Sequence, residues 1–419
     1  MSFLEFKDKT RRVLIFLQRY TKTDNIYLAK GGFWIILAGV ASNILGIILA
    51  VAFTRLSTQV IYGQYQFILA LIDTLMVFSL PSINTAVTEA VVRGQDQSVI
   101  LGIKKRLEFS LAGSLIFLAV AFYFYFFKPI ELLAAAFLGV SLFFPVHNIS
   151  GTVFAYYYAK KEFRLPQIMH VIMRFLIVTS LVLAIMVWNN IFAIITSYLI
   201  VNGLMNVALV YYFRKTQELK GGVDSGIVRY GVQLTLANIV PELLNNTDKL
   251  IIPIFLNVEA LAIYTIAEKI PNVIKGFFKS VKTIFFPKLV YLSKENFLAK
   301  FRNLYLISFF VVAIFLTIIL LPWIIPLLFG SGYQDSIFIA QIYSLITLPF
   351  IFQDIISDWF QAKKNVKYYF LMTNIFVIGT AVAMCVALLL YRSLIFVVLA
   401  RIIVICLVFT FSLRLVKKS

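Results

Sequence analysis

The chain has 419 residues, of which 61% are hydrophobic and only 14% are charged. Soluble domains are about 45–50% apolar, and a soluble protein of this composition would expose more apolar surface than water tolerates. The composition therefore indicates an integral membrane protein and excludes an ordinary soluble enzyme. The net charge of +19 is not accompanied by a nucleic-acid-binding motif, so we expect no nucleic-acid partner.

Twelve segments are long and apolar enough to cross a bilayer, which takes about 20 mostly apolar residues. They are 32–53, 64–91, 107–127, 131–158, 166–187, 191–213, 228–256, 260–288, 303–328, 337–361, 367–390 and 394–415. The segment 1–31 is predicted to be cytoplasmic, with an interfacial amphipathic helix near Phe6–Tyr20. Residues 416–419 form the predicted C-terminal tail.

The positions of the basic residues predict the orientation of these spans. With the N-terminus inside, the cytoplasmic segments and the adjoining span ends hold 27 of the 38 lysines and arginines. The outer loops hold only Arg55, Lys128 and Arg392, and the other eight basic residues lie within spans. Cytoplasmic loops of membrane proteins carry such an excess of basic residues. We therefore expect both termini in the cytoplasm.

The chain divides into two halves at the polar segment 214–227, RKTQELKGGVDSGI. Six spans precede this predicted linker, within 32–213, and six follow it, within 228–415. Both halves start on the same side, which is the arrangement of parallel repeats around an axis along the membrane normal. We expect an all-α fold of two six-helix bundles, with the functional site in a central cleft between them.

Charged residues lie inside the predicted membrane region, where each costs about 2.5–3.5 kcal/mol on insertion scales unless it faces a cavity or a partner. At 100° per residue, span 8 places Glu268, Lys275, Lys279 and Lys282 within about 60° of one another, with Lys269 at the edge of this stripe. Lys279 and Lys282 could instead extend to the inner headgroups. Lys269 and Lys275 are too deep for that and predict a water-filled cavity or internal ion pairs.

Other spans carry further intramembrane charges. Glu242 and Lys249 share one face of span 7 with two asparagines, and Asp248 lies to one side of it. The alternative explanation for these charges is structural: Glu242 would form an ion pair with a lysine, and this pair would only hold spans 7 and 8 together. Asp73, Arg174 and Arg401 lie near the midpoints of spans 2, 5 and 12, and His147 lies in span 4.

These charges predict an anion-binding cleft. The candidate substrate-binding residues are Lys275, Lys279, Lys269, Arg174, Arg401, Lys249 and Lys282. The candidate coupling residues are Asp73, Glu242, Asp248, Glu268 and His147. Phosphate is the anion that lysine and arginine bind through charge-assisted hydrogen bonds. The sequence has two cysteines and two histidines, and Cys385 and Cys406 lie in apolar runs, so we expect no metal and no cofactor.

Several motifs resemble the polysaccharide flippases of the O-antigen type, within the multidrug/oligosaccharidyl-lipid/polysaccharide exporter superfamily. In the first half these are KGGFWIILAGVASNILGIILA, IYGQYQF, INTAVTEAVVRG and YYAKKEF. In the second half the segment 245–289 is similar, with Asp-Lys, Ala-x-Tyr-x-x-Ala and a terminal Phe-Pro-Lys. The resemblance implies that undecaprenyl-pyrophosphate-linked oligosaccharide crosses from the inner to the outer leaflet of a bacterial cytoplasmic membrane. It also implies membrane lipids, and a polysaccharide polymerase of the assembly machinery, as partners.

Two other functions remain open from the sequence. An ion-coupled exporter of small molecules would share the architecture, although an exporter of cationic drugs would need an acidic cavity rather than a basic one. A membrane polymerase or glycosyltransferase would need a sizeable outer loop or a catalytic domain, and the predicted loops are too short for either. We therefore expect a transporter and not an enzyme.

Overall fold

A computed structural model describes the chain at residues 25–291, 305–363 and 365–418. All the regular secondary structure in these ranges is helical. Nine helices of the described part are long and apolar enough to cross a membrane, and many of their large apolar side chains are exposed. Such exposed side chains suit a lipid environment, so the chain is a multi-pass membrane protein of helical architecture.

The helices of the first half follow the predicted spans, with two breaks. They are α1 (Asn25–Leu56), α2 (Gln59–Leu75), α3 (Ile83–Val92), α4 (Ser98–Phe126), α5 (Glu131–Phe143), α6 (Ser150–Ala159), α7 (Arg164–Val187) and α8 (Ile191–Thr216). The predicted span 2 is divided into α2 and α3 at Pro81, and the predicted span 4 into α5 and α6 at Pro145. Proline lacks the amide hydrogen that a continuous helix needs.

The second half begins with a helix that is broken twice. The predicted span 7 consists of α9 (Gly226–Ala237), α10 (Ile239–Leu244) and α11 (Thr247–Phe255). It is followed by α12 (Val258–Tyr291), α13 (Tyr305–Phe329), α14 (Ser336–Ala362), α15 (Val366–Tyr391) and α16 (Leu394–Lys418). These helices lie at the predicted spans 8 to 12. The predicted interfacial segment of the N-terminus lies outside the described residues.

One apolar core joins the two halves. Helix α2 packs along α12, and Gly63 allows the close approach because a Cβ there would lie 1.9 Å from the carbonyl oxygen of Val258. Phe53 stacks on Tyr65 at 4.6 Å between ring centroids, which fixes α1 against α2 in the same core. The helices that carry the predicted charges therefore face each other across the junction of the halves.

The two halves are also connected at the predicted outer end. Arg55, the last basic residue of α1, donates hydrogen bonds of 3.2, 3.0 and 2.6 Å to the carbonyl oxygens of Leu328, Pro326 and Leu327. These carbonyls lie in the last turn of α13, where a helix leaves carbonyl groups open to outside donors, and the Pro326 carbonyl also accepts from the amide of Gly330. Gln59 donates to the carbonyl oxygen of Gly332 in the following turn.

The predicted linker docks on the first half at the opposite end. Asp224 forms an ion pair with Arg93 at 2.8 Å, and its amide donates to the Ser98 hydroxyl at 2.9 Å. Asp96 binds the Lys160 ammonium at 2.8 Å, and its amide donates to the carbonyl of Lys220. The linker is thus a bound segment, and α9 packs on α3 immediately after it.

Candidate functional site

The predicted charges of α11, α12 and α16 form two ion pairs. Lys249 binds Glu268 at 2.8 Å between Nζ and Oε1, and Arg401 binds Asp248 at 2.8 Å between Nη1 and Oδ2. Both carboxylates are buried, with 8% and 5% of their side chains exposed. Buried charges are stable only when they are paired and hydrogen-bonded, so these pairs connect three helices of the second half.

Two tyrosines complete this cluster. The Tyr264 hydroxyl donates to Oδ2 of Asp248 at 2.7 Å and accepts from Nη1 of Arg401 at 3.0 Å. The Tyr343 ring lies 5.6 Å from the Arg401 guanidinium, within cation–π range. Sequence periodicity did not single out either tyrosine, because a buried tyrosine on an apolar face has the pattern of an ordinary core residue.

Lys275 is surrounded by aromatic rings instead of carboxylates. Its Nζ lies 4.4 Å from the ring centroid of Tyr343 and 5.1 Å from that of Phe350, both on α14. Its half-buried side chain has no ion pair with any residue that the structure describes. Aromatic faces attract a cation but supply no counter-charge, so Lys275 has no carboxylate partner at ion-pair distance among the described residues.

Arg174 and Lys269 come together from opposite halves of the chain. Arg174 lies on α7 and Lys269 on α12, and the two meet over Gly46 of α1. A Cβ at Gly46 would lie 3.8 Å from Nη2 of Arg174 and 3.9 Å from Nζ of Lys269. Within the described ranges neither cation has a carboxylate partner at ion-pair distance. Two like charges at one point make a site for an anion of more than one negative charge.

The other candidates lie around these groups or apart from them. Asp73 is exposed on α2 and interacts electrostatically with Lys249 and Arg174. His147 lies in the break between α5 and α6, with its Nε2 3.5 Å from the Tyr198 hydroxyl. Glu242 is half-buried on α10, and Lys249 pairs with Glu268 rather than with it. The side chains of Lys279 and Lys282 lie outside the described part of the chain.

The structure thus separates the predicted cations into two groups. Lys249 and Arg401 are paired with carboxylates, whereas Arg174, Lys269 and Lys275 are not paired within the described residues. The sequence signal for the site was the polar stripe of α12. Gly46 was missed, since a single glycine in an apolar helix gives no sign of which side chains surround it.

The helical architecture and the intramembrane charges define a polytopic transporter. The comparisons agree: the chain belongs to the polysaccharide biosynthesis protein family, whose model matches residues 28–293. This places it among the membrane flippases and transporters and confirms the family expected from the sequence motifs. No curated protein sequence matches the chain significantly.

Solved structures with the same fold are distant in sequence. The lipid II flippase MurJ in an inward closed conformation has a TM-score of 0.72 at 18% identity, covering 91% of this chain and 87% of MurJ. An inward-facing multidrug resistance MATE family transporter has a TM-score of 0.70 at 10% identity, covering 90% and 95%. A MOP superfamily transporter from Pyrococcus furiosus has a TM-score of 0.64 at 11% identity, covering 93% and 95%. These similarities establish the transporter fold.

Proposed function

We propose that the protein is a flippase for undecaprenyl-pyrophosphate-linked oligosaccharide, the repeat unit of an O-antigen or a similar surface polysaccharide. The observation that carries the proposal is the meeting of Arg174 and Lys269 over Gly46. A pyrophosphate bears more than one negative charge, and a guanidinium and an ammonium are the groups that bind phosphate oxygens best. Because these two cations belong to different halves, the headgroup would be held between the bundles.

Lys275 would extend this cationic surface along α12. It lies six residues after Lys269, and its ammonium contacts the rings of Tyr343 and Phe350 rather than a carboxylate. The glycan would continue into the water-filled part of the cleft, while the polyprenyl tail stays in lipid. Rocking of the two bundles would then expose the headgroup to the other leaflet.

After release of the substrate, the carboxylates would form ion pairs with the cations of the site again. Glu268 forms an ion pair with Lys249, and Asp248 forms one with Arg401. A bound pyrophosphate next to Lys269 would compete with Glu268 for Lys249. Asp73, which interacts with both Lys249 and Arg174, would be the coupling residue closest to this exchange. Glu242 and His147 remain weaker coupling candidates.

This function implies a bacterial cytoplasmic membrane, with both termini in the cytoplasm and transport from the inner to the outer leaflet. Membrane lipids and the polysaccharide polymerase that uses the translocated repeat unit are the expected partners. The family match to polysaccharide biosynthesis proteins supports this assignment.

The test uses purified protein in liposomes that contain undecaprenyl-pyrophosphate-linked oligosaccharide, and it follows the appearance of the glycan on the opposite leaflet. We expect transport by the wild type and its loss in Lys269→Ala and in Lys275→Ala. Lys105→Ala is the matched control, because Lys105 pairs with Glu108 at a partly exposed position of α4. It should transport like the wild type.

Two outcomes would contradict the proposal. Normal transport by Lys269→Ala and Lys275→Ala would remove these lysines from the site. Absence of transport by the wild type, with several such glycans and an imposed ion gradient, would favour an ion-coupled exporter of small molecules. In that case an anionic small molecule would be the first substrate to try, since Arg174, Lys269 and Lys275 have no ion pair among the described residues.

A further inference from the structure

A second cationic site lies in the first half of the chain, away from the cleft. Arg106 on α4 is 1% exposed, which is rare for an arginine. Its guanidinium donates to Oδ1 of Asn84 and to Oγ of Ser79, and both hydrogen bonds are long at 3.3 Å. Its Nε has no partner among the described residues. No carboxylate in those ranges forms an ion pair with it.

Two helices begin beside this guanidinium. Helix α3 starts at Ile83 after the break at Pro81, and Asn84 in its first turn contacts the guanidinium. Helix α6 starts at Ser150 after the break at Pro145. A Cβ at Gly151, in the first turn of α6, would lie 2.9 Å from Nη1 of Arg106. The first amides of both helices already donate within the protein, Asn84 to the Pro81 carbonyl and Gly151 to the Asn148 carbonyl, so the guanidinium is the group left to hold an anion.

The buried guanidinium of Arg106 has no counter-charge at ion-pair distance among the described residues. Removing a charge from water costs several kcal/mol unless a counter-charge is close. Asn84 and Ser79 supply only neutral oxygens. We propose that a small monovalent anion, chloride, binds beside Arg106 between α3, α4 and α6 and provides the missing counter-charge.

The geometry favours a halide over a larger anion. Thr152 and Ser79 are 0% and 3% exposed, and the backbone of Gly151 lies against the guanidinium, so there is little space for an oxyanion or a lipid headgroup. The helices α3, α4 and α6 differ from those that carry Arg174 and Lys269. The chloride site is therefore independent of the proposed substrate site, and each can fail without the other.

The test measures thermal unfolding of the purified full-length protein in detergent, in sodium chloride and in sodium gluconate at equal ionic strength. We expect chloride and bromide to raise Tm saturably, while gluconate, which is too large for the site, does not. Ser79→Ala removes one oxygen that orients the guanidinium. It should raise the half-saturating chloride concentration by about tenfold.

The decisive variant is Asn84→Asp, which places a carboxylate 3.3 Å from the guanidinium in the first turn of α3. It supplies an internal counter-charge, so the protein should be as stable in gluconate as the wild type is in chloride. Asn190→Asp is the matched control, because Asn190 is the N-cap of α8, where aspartate is equally suitable. That variant should keep the full chloride response.

A third variant separates this site from the cleft. Arg174→Ala should keep the chloride response, since Arg174 does not take part in the Arg106 site. Loss of the response in Arg174→Ala, with its retention in Asn84→Asp, would place the anion in the cleft and overturn the proposal. Equal Tm of the wild type in chloride and gluconate would also overturn it, and Arg106 would then be a structural residue only.

Discussion

Gly46 shows how one small residue can set the width of a binding site. It lies in α1 at the point where Arg174 and Lys269 approach each other, and the space that a side chain would occupy lies between the two cations. The absence of a Cβ costs helix stability, since glycine is about 1 kcal/mol less favourable than alanine in a helix. The proposed function gives a reason for this cost, because the space would receive a phosphate.

Substitutions of Gly46 should affect substrate binding and folding stability differently. Gly46→Ala adds a Cβ at ordinary contact distance, so the variant should be slightly more stable and should transport normally. Gly46→Leu should fill the space between the cations and reduce transport of the lipid-linked glycan strongly. Transport in liposomes and Tm in detergent measure the two effects. Full transport by Gly46→Leu would show that the headgroup binds elsewhere.

The buried pair of Arg401 and Asp248 predicts a second residue-level result. Arg401→Leu leaves a buried carboxylate without its cation, which should destabilise the protein by about 3–5 kcal/mol. The double variant Arg401→Leu/Asp248→Asn should recover most of this loss, because Tyr264 can still donate to the amide oxygen. Tm of the two variants tests this.

The same double variant also reports on function. Wild-type transport by a stable Arg401→Leu/Asp248→Asn protein would assign Arg401 a structural role, whereas loss of transport would keep it among the substrate-binding or coupling residues. Equal destabilisation in the single and double variants would mean that the pair contributes no electrostatic stabilisation.

At the scale of elements, the contact of α2 with α12 depends on close backbone approach. The two helices belong to different halves, and Gly63 lies directly against the carbonyl of Val258. A backbone atom cannot move aside as a flexible side chain can. The position of α12, and with it the positions of Lys269 and Lys275, therefore depends on a residue outside the charged cluster.

Gly63→Ala should destabilise the protein by about 1–3 kcal/mol or more, because its Cβ overlaps a backbone carbonyl and forces α2 away from α12. Gly139→Ala is the matched control within α5, where a Cβ would lie 3.4 Å from Cδ1 of Leu199, an ordinary contact. Tm should fall for the first variant and stay close to the wild type for the second. Similar Tm values for both variants would show that α2 and α12 can move apart without loss of stability.

At the scale of the whole molecule, the two halves contact each other at the predicted outer end through Arg55 and Gln59. These contacts use backbone carbonyls of the second half, including those in the last turn of α13. Such hydrogen bonds contribute only about 0.5–1.5 kcal/mol each, or about 1.5–3 for a charged donor. They are therefore strong enough to hold one conformation and weak enough to break during a transport cycle.

A cross-link across this contact should stop transport. Gln59→Cys/Gly332→Cys, with Cys385 and Cys406 replaced by alanine, allows a short bifunctional thiol reagent to join the two halves. Gly332 can be replaced because its φ is not positive. We expect transport before cross-linking and its loss afterwards, with a reducible reagent restoring it. Each single-cysteine variant is a control. Unchanged transport after complete cross-linking would show that this end does not open.

Much of the architecture followed from the sequence. Apolar length alone placed the spans that nine described helices confirm, and the motifs at Lys30–Gly94 and 245–289 identified the family. The periodicity of α12 placed Glu268, Lys269 and Lys275 along one side of a single helix. These are local properties: hydrophobic length, helical period and motif spacing do not depend on what a helix packs against.

The tertiary structure determines which charged residues form ion pairs or lie close together. Three arrangements depend on helix packing. Lys249 pairs with Glu268 and not with Glu242, and Asp248 pairs with Arg401, which is far away in the sequence. Arg174 lies close to Lys269. Arg106 makes the same point, because it directly precedes the predicted span 107–127, whereas the helix begins at Ser98 and buries it. Electrostatic energy depends on distance and burial, and neither of these is encoded in local sequence.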